Sequence, residues 1–402
     1  MEQRIDKKTG QKVSLLGFGT MRLPRVDPDR QQIDRPAAQA LIDQAMAGGV
    51  NYYDTAYYYH DGDSEDFLGQ ALAAYPRDSY LLASKMPAFD EKVNTPADAK
   101  EVLEHQLARL RTGYLDFYLC HSVGGAESFR KLYLESGILE YLKEEQQAGR
   151  ICRLGFSYHG PAAELDRLLD CHPWDFVQLQ LNYLDWELQQ ARQQYESARR
   201  RGIPCMVMEP VRGGMLHTLC PPAVRLLEEA RPGATPASWA LRFCASLPGV
   251  LTVLSGMSNQ EQVRDNLATM SPLEPLSREE YGVLAQALDC FLQQGTIPCT
   301  GCRYCMDCPY GVDIPGVFAQ FNACAVRGDL PVSLGEDPAE YRRRADAFLS
   351  ALGQLPEEAG PQHCVGCNHC TDVHHCPQGI PIPRRLGDIR RMAGELAALP
   401  PL

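Results

Sequence analysis

The chain has 402 residues, 45% hydrophobic and 22% charged, with a formal net charge of −12 at pH 7. That supplies one large core and a smaller module, while the acidic balance excludes the basic face that nucleic-acid binding requires. No apolar run approaches the ~20 residues of a membrane-spanning helix. The opening residues MEQRIDKKTG lack the apolar stretch of a signal peptide, and 16 cysteines favour metal ligation over disulfides, so a reducing, cytoplasmic setting is expected.

In chain order, a hairpin-like opening at Gly10-Gln-Lys-Val leads into Leu15-Leu-Gly-Phe-Gly-Thr20. The pattern then predicts helix 36–48, strand 51–55, helix 64–74, strand 80–85, helix 96–111, strand 115–121 and helix 138–148. The second half continues with strand 151–157, helix 161–170, strand 176–182, helix 188–201, strand 203–209, helix 236–246, strand 250–256 and helix 259–269. Several strands, such as Phe117-Tyr-Leu-Cys120 and Cys205-Met-Val-Met208, are continuously apolar. Such strands are covered on both faces, as in a parallel sheet. Eight βα units point to an α/β fold, a (β/α)8 TIM barrel. A doubly wound open sheet is the alternative, but no Gly-x-Gly-x-x-Gly follows the first strand. The segments 123–134 and 215–235, interrupted by Gly and Pro, read as substrate loops.

Alternation stops after residue 275, and 277–294 reads as one helix leading to Ile297-Pro298. The expected organisation is a barrel over 1–275, a connecting helix over 276–298, and a small, mainly helical iron–sulfur domain over 299–402. That last part holds Cys299-x2-Cys302-x2-Cys305-x2-Cys308-Pro and Cys364-x2-Cys367-x2-Cys370-x5-Cys376-Pro, with helices near 315–326 and 338–351 between them. Runs of this kind hold a pair of [4Fe–4S] clusters, three thiolates from one run and the fourth from the other. Cys299, Cys302, Cys305 and Cys376 are expected on one cluster, and Cys364, Cys367, Cys370 and Cys308 on the other. The runs also repeat beyond the cysteines: Cys308-Pro-Tyr-Gly-Val-Asp-Ile-Pro315 against Cys376-Pro-Gln-Gly-Ile-Pro-Ile-Pro383. His374 and His375, in the longer loop, could tune a cluster. The arginines at 384–385 and 390–391 read as a solvated helix face, or more sharply as a docking patch for an acidic electron carrier.

In a barrel, the C-terminal strand ends face the active site. Those ends offer Asp54, Tyr59 in the loop beyond it, Lys85 and His121. Each alone has a bland reading as cap, packing aromatic or core histidine; together they suit carbonyl reduction. Tyrosine, with a pKa of about 10, is a poor acid at neutral pH until an ammonium lowers that value. Asp54 would hold Lys85 charged, His121 would aim the carbonyl oxygen, and Tyr59 would deliver the proton. A metal centre built from His60, His121 and His159 matches no ligand spacing.

Gly49-Val-Asn-Tyr-Tyr-Asp54-Thr-Ala-Tyr-Tyr-Tyr59, followed by Ser64-Glu65 and Leu68-Gly69, resembles the aldo-keto reductase signature, and Ala83-Ser-Lys85 and Tyr118-Leu-Cys-His121-Ser match the family's next motifs. Similar segments are Gly155-Phe-Ser157, Val177-Gln178-Leu-Gln-Leu-Asn182, Val207-Met-Glu-Pro210-Val-Arg212-Gly-Gly214 and Leu254-Ser-Gly-Met-Ser258. With its appended cysteines the chain resembles the bacterial branch carrying a C-terminal ferredoxin-like domain. The resemblance implies Asp54, Tyr59, Lys85 and His121 as the catalytic tetrad. It also implies NADPH or NADH held by Thr20, Met21, Asp54, Ser157, Gln178, Met208, Pro210, Arg212, Gly213, Gly214, Ser255, Gly256, Ser258, Gln262 and Asn266. Departures from the family pattern are Met208 where an aromatic underlies the nicotinamide, Ser157-Tyr158 for Ser-Asn, and Gly256 and Gln262 where cations grip a 2′-phosphate. NADPH preference is therefore not implied.

Hydride transfer moves two electrons and a [4Fe–4S] centre passes one, so the halves cannot exchange electrons without an intermediary. The expected function is NAD(P)H-dependent reduction of a small-molecule carbonyl, with clusters in a structural, sensing or electron-transfer role. The alternatives are a ferredoxin-linked reductase using a flavin, which no sequence feature requires, and a non-catalytic electron-transfer subunit.

Overall fold

The structure, a computed structural model, describes residues 1–27, 31–331, 337–372 and 376–399. The chain forms two compact units, one of Met1–Val211 with Ser238–Ser277 and one of Arg212–Ala237 with Arg278–Leu402. His374 and His375 lie outside the described residues. Among the described residues no helix is long and apolar enough to cross a membrane.

The first unit opens with an antiparallel hairpin, β1 (Gln3–Ile5) and β2 (Lys12–Ser14). Eight parallel strands follow: β3 (Leu16–Gly19), β4 (Tyr52–Asp54), β5 (Leu81–Met86), β6 (Phe117–Val123), β7 (Leu154–Tyr158), β8 (Phe176–Gln180), β9 (Cys205–Met208) and β10 (Val250–Ser255). They pair in sequence, and β10 closes on β3 as the expected barrel. Val13, Tyr52, Leu81, Ala83, Phe117, Leu119, Phe176, Met206, Leu251 and Leu254 form one buried cluster, the filled interior of such a barrel. Close strand approach selects glycine at Gly155, where a Cβ would fall 2.6 Å from the Phe176 carbonyl oxygen. Helices alternate with the strands, and the starts of Arg35–Ala47, Pro96–Arg109 and Gln260–Thr269 are capped by the side chain just before them. Thr95 accepts from the Asp98 amide while the Asp98 carboxylate accepts from the Thr95 amide, a reciprocal cap on Pro96–Arg109.

The register aims the site. Gly19, Asp54 and Ala83 stand side by side across β3, β4 and β5, and Lys85 lies level with Leu119 two residues before His121. Asp54, Lys85 and His121 therefore sit at neighbouring strand ends.

The second unit packs the helices Ile314–Arg327, Pro338–Leu352 and Ile382–Ala397 around Val312, Ile314, Val317, Phe318, Phe348, Ile380, Leu386 and Ile389. Cys305 and Cys370 belong to that same core. The compact units divide the chain differently from the boundaries at 275 and 298, because residues 212–237 count with the second unit. Segment 215–235 also contains a helix, Pro221–Ala230, which packs on Arg278–Leu292 with an Arg231–Glu280 ion pair at 3.5 Å. Pro221 and Pro222 look like loop residues in sequence, yet they occupy the first helical turn, where no backbone N–H is needed. Segment 123–134 likewise carries helical turns over Ala126–Phe129 and Arg130–Glu135.

Candidate functional site

At the barrel's strand ends Lys85 is wholly buried, and its Nζ donates to Asp54 Oδ1 and to the Thr55 carbonyl, both at 2.6 Å. Burial disfavours both charges, pushing Asp54 up and Lys85 down, and their mutual attraction opposes each shift. The ammonium lies 4.8 Å from the centroid of the Tyr59 ring, which begins a 3₁₀ turn just past β4. The rings of Tyr59 and His121 stand 6.2 Å apart and nearly perpendicular. Behind the lysine, buried Glu65 accepts from Ser84 Oγ at 2.6 Å and Gln106 Nε2 at 2.7 Å, and Gln106 also donates to the Lys85 carbonyl at 3.0 Å. The strand that carries the ammonium is thus fixed by polar groups with partners of their own.

Burial, then the nearby Lys85 charge and His159, holds the His121 imidazolium well below its ordinary pKa. A neutral ring offers one donor and one acceptor to a bound oxygen. Its Nδ1 is buried without a partner among the described residues, and so is Asp54 Oδ2. The His121 amide donates to Tyr133 Oη at 3.0 Å, and that hydroxyl donates to the Met86 carbonyl at 2.8 Å, which ties β6 to β5.

Two further residues stand at this site: Phe89, which the sequence reading did not name, and His159, which it weighed only as a metal ligand. Phe89, half-exposed in the loop after β5, meets the His121 ring edge-on at 5.3 Å and offers an apolar wall. His159 follows β7, donates its amide to the Val123 carbonyl at 2.9 Å, and has a buried Nδ1 without a partner among the described residues. Burial and the Lys85 charge bring its pKa down to about 4. Sequence offered no signal for Phe89; for His159 the signal was its place at a strand end.

The other barrel ends carry the residues expected around the nucleotide. Gln178 Oε1 is buried and unpartnered among the described residues, with Nε2 3.6 Å from Met208 Sδ, so an acceptor is free for an N–H donor. A carboxamide supplies such a donor, and in that respect the residues fit a nicotinamide. Ser157 Oγ accepts from the Ser122 amide at 2.8 Å, and Tyr158 commits its hydroxyl to the Pro161 carbonyl at 2.7 Å. Thr20 Oγ1 donates to the Asp54 carbonyl at 3.0 Å, next to Met21 in the same 3₁₀ turn. Beyond β10, Asn266 donates to Ser255 Oγ at 2.9 Å, Gln262 Oε1 accepts from the amide and hydroxyl of Ser258, and Gly256 lies against the Arg22 stem. Pro210 is buried just past β9. Arg212, Gly213 and Gly214 belong to the second unit, where the Arg212 guanidinium donates to the Pro298 carbonyl at 2.7 Å and Gln378 Oε1 at 3.0 Å.

The cysteines assemble into two sets. Cys299, Cys302, Cys305 and Cys376 line one cavity with Ile314, Phe318 and Ile380. Burial pushes Cys305 up to about 12, with Cys302, Cys299 and Cys376 as its thiol neighbours. Burial likewise pushes Cys370 up to about 11, beside Cys364, Cys308 and Cys367. The fourth cysteine of each run therefore stands with the other run, as cluster ligation requires. Among the described residues, no three His, Cys, Asp or Glu close tightly enough around one point to hold a single ion. Two sets of four thiols are the donor sets that a pair of iron–sulfur cubanes takes. Arg390 braces the second set by donating to the Cys364 carbonyl at 2.8 Å, so this arginine is more than a solvated helix face.

A closed parallel barrel with a buried Lys–Asp pair beside a tyrosine and a neutral histidine defines an oxidoreductase of the barrel class. The Aldo/keto reductase family matches residues 15–289, and a 4Fe-4S dicluster domain matches residues 298–381. The chain belongs to the aldo/keto reductase family and is an NAD(P)H-dependent oxidoreductase. Similar curated proteins include L-galactose dehydrogenase of Arabidopsis thaliana, 26% identical over 70% of this chain and 91% of that protein. Another is the NADH-specific methylglyoxal reductase of Escherichia coli, 24% identical over 64% of this chain and 90% of that protein. Among solved structures, the holo form of an aldo-keto reductase from Bacillus halodurans superposes with a TM-score of 0.59 at 26% identity, covering 71% of this chain and 96% of that one.

Proposed function

We propose that the barrel reduces a small aldehyde, ketone or sugar carbonyl at the expense of NAD(P)H, with Tyr59 as the general acid. The observation that carries this reading is the Lys85 ammonium, buried, held by Asp54 and 4.8 Å from the Tyr59 ring centroid. Bound NAD(P)H supplies a hydride. The residues of the chain supply the rest. His121, neutral at physiological pH, donates a hydrogen bond that points the carbonyl oxygen toward Tyr59. Tyr59 gives its proton to that oxygen as negative charge develops there, and the Lys85 charge favours the phenolate left behind. Asp54 keeps Lys85 charged and in place, and Phe89 screens the site from water. Proton recovery from solvent completes the cycle.

The nucleotide is held by Thr20, Met21, Asp54, Ser157, Gln178, Met208, Pro210, Ser255, Gly256, Ser258, Gln262 and Asn266. Gly256 offers no side chain to a 2′-phosphate and Gln262 is engaged by Ser258, so NADH serves at least as well as NADPH. The eight cysteines of the two runs bind two [4Fe–4S] clusters, which stand outside the path of hydride; a ferredoxin-type electron carrier would address that unit alone. The setting is a reducing cytoplasm.

The test is Tyr59→Phe in iron-loaded enzyme, assayed with NADH and NADPH against methylglyoxal, sugars and simple ketones. Turnover should fall by about 10²–10⁴-fold, the span of general acid catalysis, while nucleotide binding measured by fluorescence titration persists. Unchanged turnover would remove Tyr59 from the mechanism.

A further inference from the structure

Arg212 is among the largest fully buried side chains of the molecule, with no exposed surface. Its guanidinium fork spans two chain segments that are far apart in sequence. Nη1 donates to the Pro298 carbonyl at 2.7 Å, one residue before Cys299, and Nη2 donates to Gln378 Oε1 at 3.0 Å, two residues after Cys376. Those are the two limbs that together present Cys299, Cys302, Cys305 and Cys376 to one cavity. The backbone is shaped for the approach: Arg212 has φ +51°, a left-handed conformation that a non-glycine residue adopts only where its surroundings hold it there. Gly213 follows at φ +64°, and a Cβ there would lie 2.2 Å from the carbonyl oxygen of Thr300, between the first two cysteines of the run.

We propose that Arg212 is the positioning residue of the iron–sulfur cluster held by Cys299, Cys302, Cys305 and Cys376, clamping its two limbs and raising its reduction potential relative to the other cluster. The inference rests on the two-cluster reading above. A [4Fe–4S] centre with four thiolates is an anion in both states of its one-electron couple, and reduction adds one further negative charge without breaking a bond. Guanidinium does not deprotonate in proteins, so its charge is constant while the cluster's changes. In a buried setting that fixed charge stabilises the reduced form more than the oxidised form. Arg390, the brace near the other set, donates among the described residues to the Cys364 carbonyl and is exposed, where solvent screens its charge.

The experiment is a dithionite titration of the anaerobic full chain followed by electron paramagnetic resonance, with iron counted in each sample. Wild type should hold about eight irons and show two couples; fewer irons there would refute the two-cluster reading itself, independently of Arg212. With wild type as expected, Arg212→Gln should lower one couple and leave the other in place, or lose about half the iron and retain one unshifted couple. Arg212→Lys keeps the charge without the planar fork, and should hold its couple nearer the wild-type potential than Arg212→Gln does. Full iron with both couples unmoved in Arg212→Gln would overturn the proposal, and so would equal shifts of both couples. Loss of both clusters in the Gln and Lys variants alike would make Arg212 a general folding residue and overturn it too.

Discussion

The two sites are made by opposite means. In the barrel, Asp54, Lys85 and His121 come from three neighbouring strands with Tyr59 in the turn beyond the first, and the register of a filled interior fixes the strand residues' separation before any ligand binds. In the second unit, the thiols come from loops of short spacing, two of them within a small core, and burial keeps Cys299, Cys305 and Cys370 protonated at neutral pH. The barrel site is pre-organised, whereas the thiol sites must lose protons and gain iron to become what they are. Folding of the second unit should therefore depend on iron, and the tetrad geometry should not.

The largest effect expected from that contrast is on removing iron. Anaerobic chelation should abolish the cooperative melting of the second unit, since ligation in small metal-bound modules contributes on the order of 10 kcal/mol. Calorimetry and proteolysis should leave a barrel transition in place, and a single transition unchanged by chelation would erase the distinction. Next is Lys85→Met, which strands Asp54 as a buried, unpaired carboxylate. Denaturant melts should show a loss of about 3–5 kcal/mol from the barrel, together with loss of turnover; full stability would mean that the ion pair is not formed.

A smaller effect is expected in pH dependence. His159 titrates at about 4 in the fold against 6.5 unperturbed, so the unfolded chain binds its proton first as pH falls. Its contribution to stability is complete above 6.5 and is lost as pH drops toward 4. Asp54 and Glu65, shifted upward by burial, act in the opposite sense above their unperturbed values of 3.8 and 4.5, so the comparison must be between variants. His159→Asn should flatten the acid side of the stability profile between pH 6.5 and 4, measured by urea midpoints. An identical profile would show that the imidazole is not held neutral by the site.

Most of the barrel was legible because several of its strands are continuously apolar and some of its helices, such as Pro96–Arg109, carry their own start signals. The approach of Asp54, Lys85 and His121 to one another was legible because strand ends are identifiable from sequence, with Tyr59 in the turn beyond. What stayed hidden depends on distance along the chain. Pro221 and Pro222 resemble a loop until the helix Arg278–Leu292 is seen to receive them. Phe89 gains meaning only when β5 and β6 place it against His121. Arg212 sits in a motif that resembles a nucleotide-binding turn, but its partners are 86 and 166 residues away, a distance no local pattern records.

The central claim is that hydride chemistry runs in the barrel while the clusters stand aside. A single-turnover experiment with iron-loaded enzyme, NAD(P)H and a carbonyl substrate can follow nucleotide absorbance and cluster absorbance together, with no one-electron donor present. The account predicts one nucleotide oxidised per carbonyl reduced, with the cluster signal flat from start to finish. Bleaching of the clusters in step with product would contradict it.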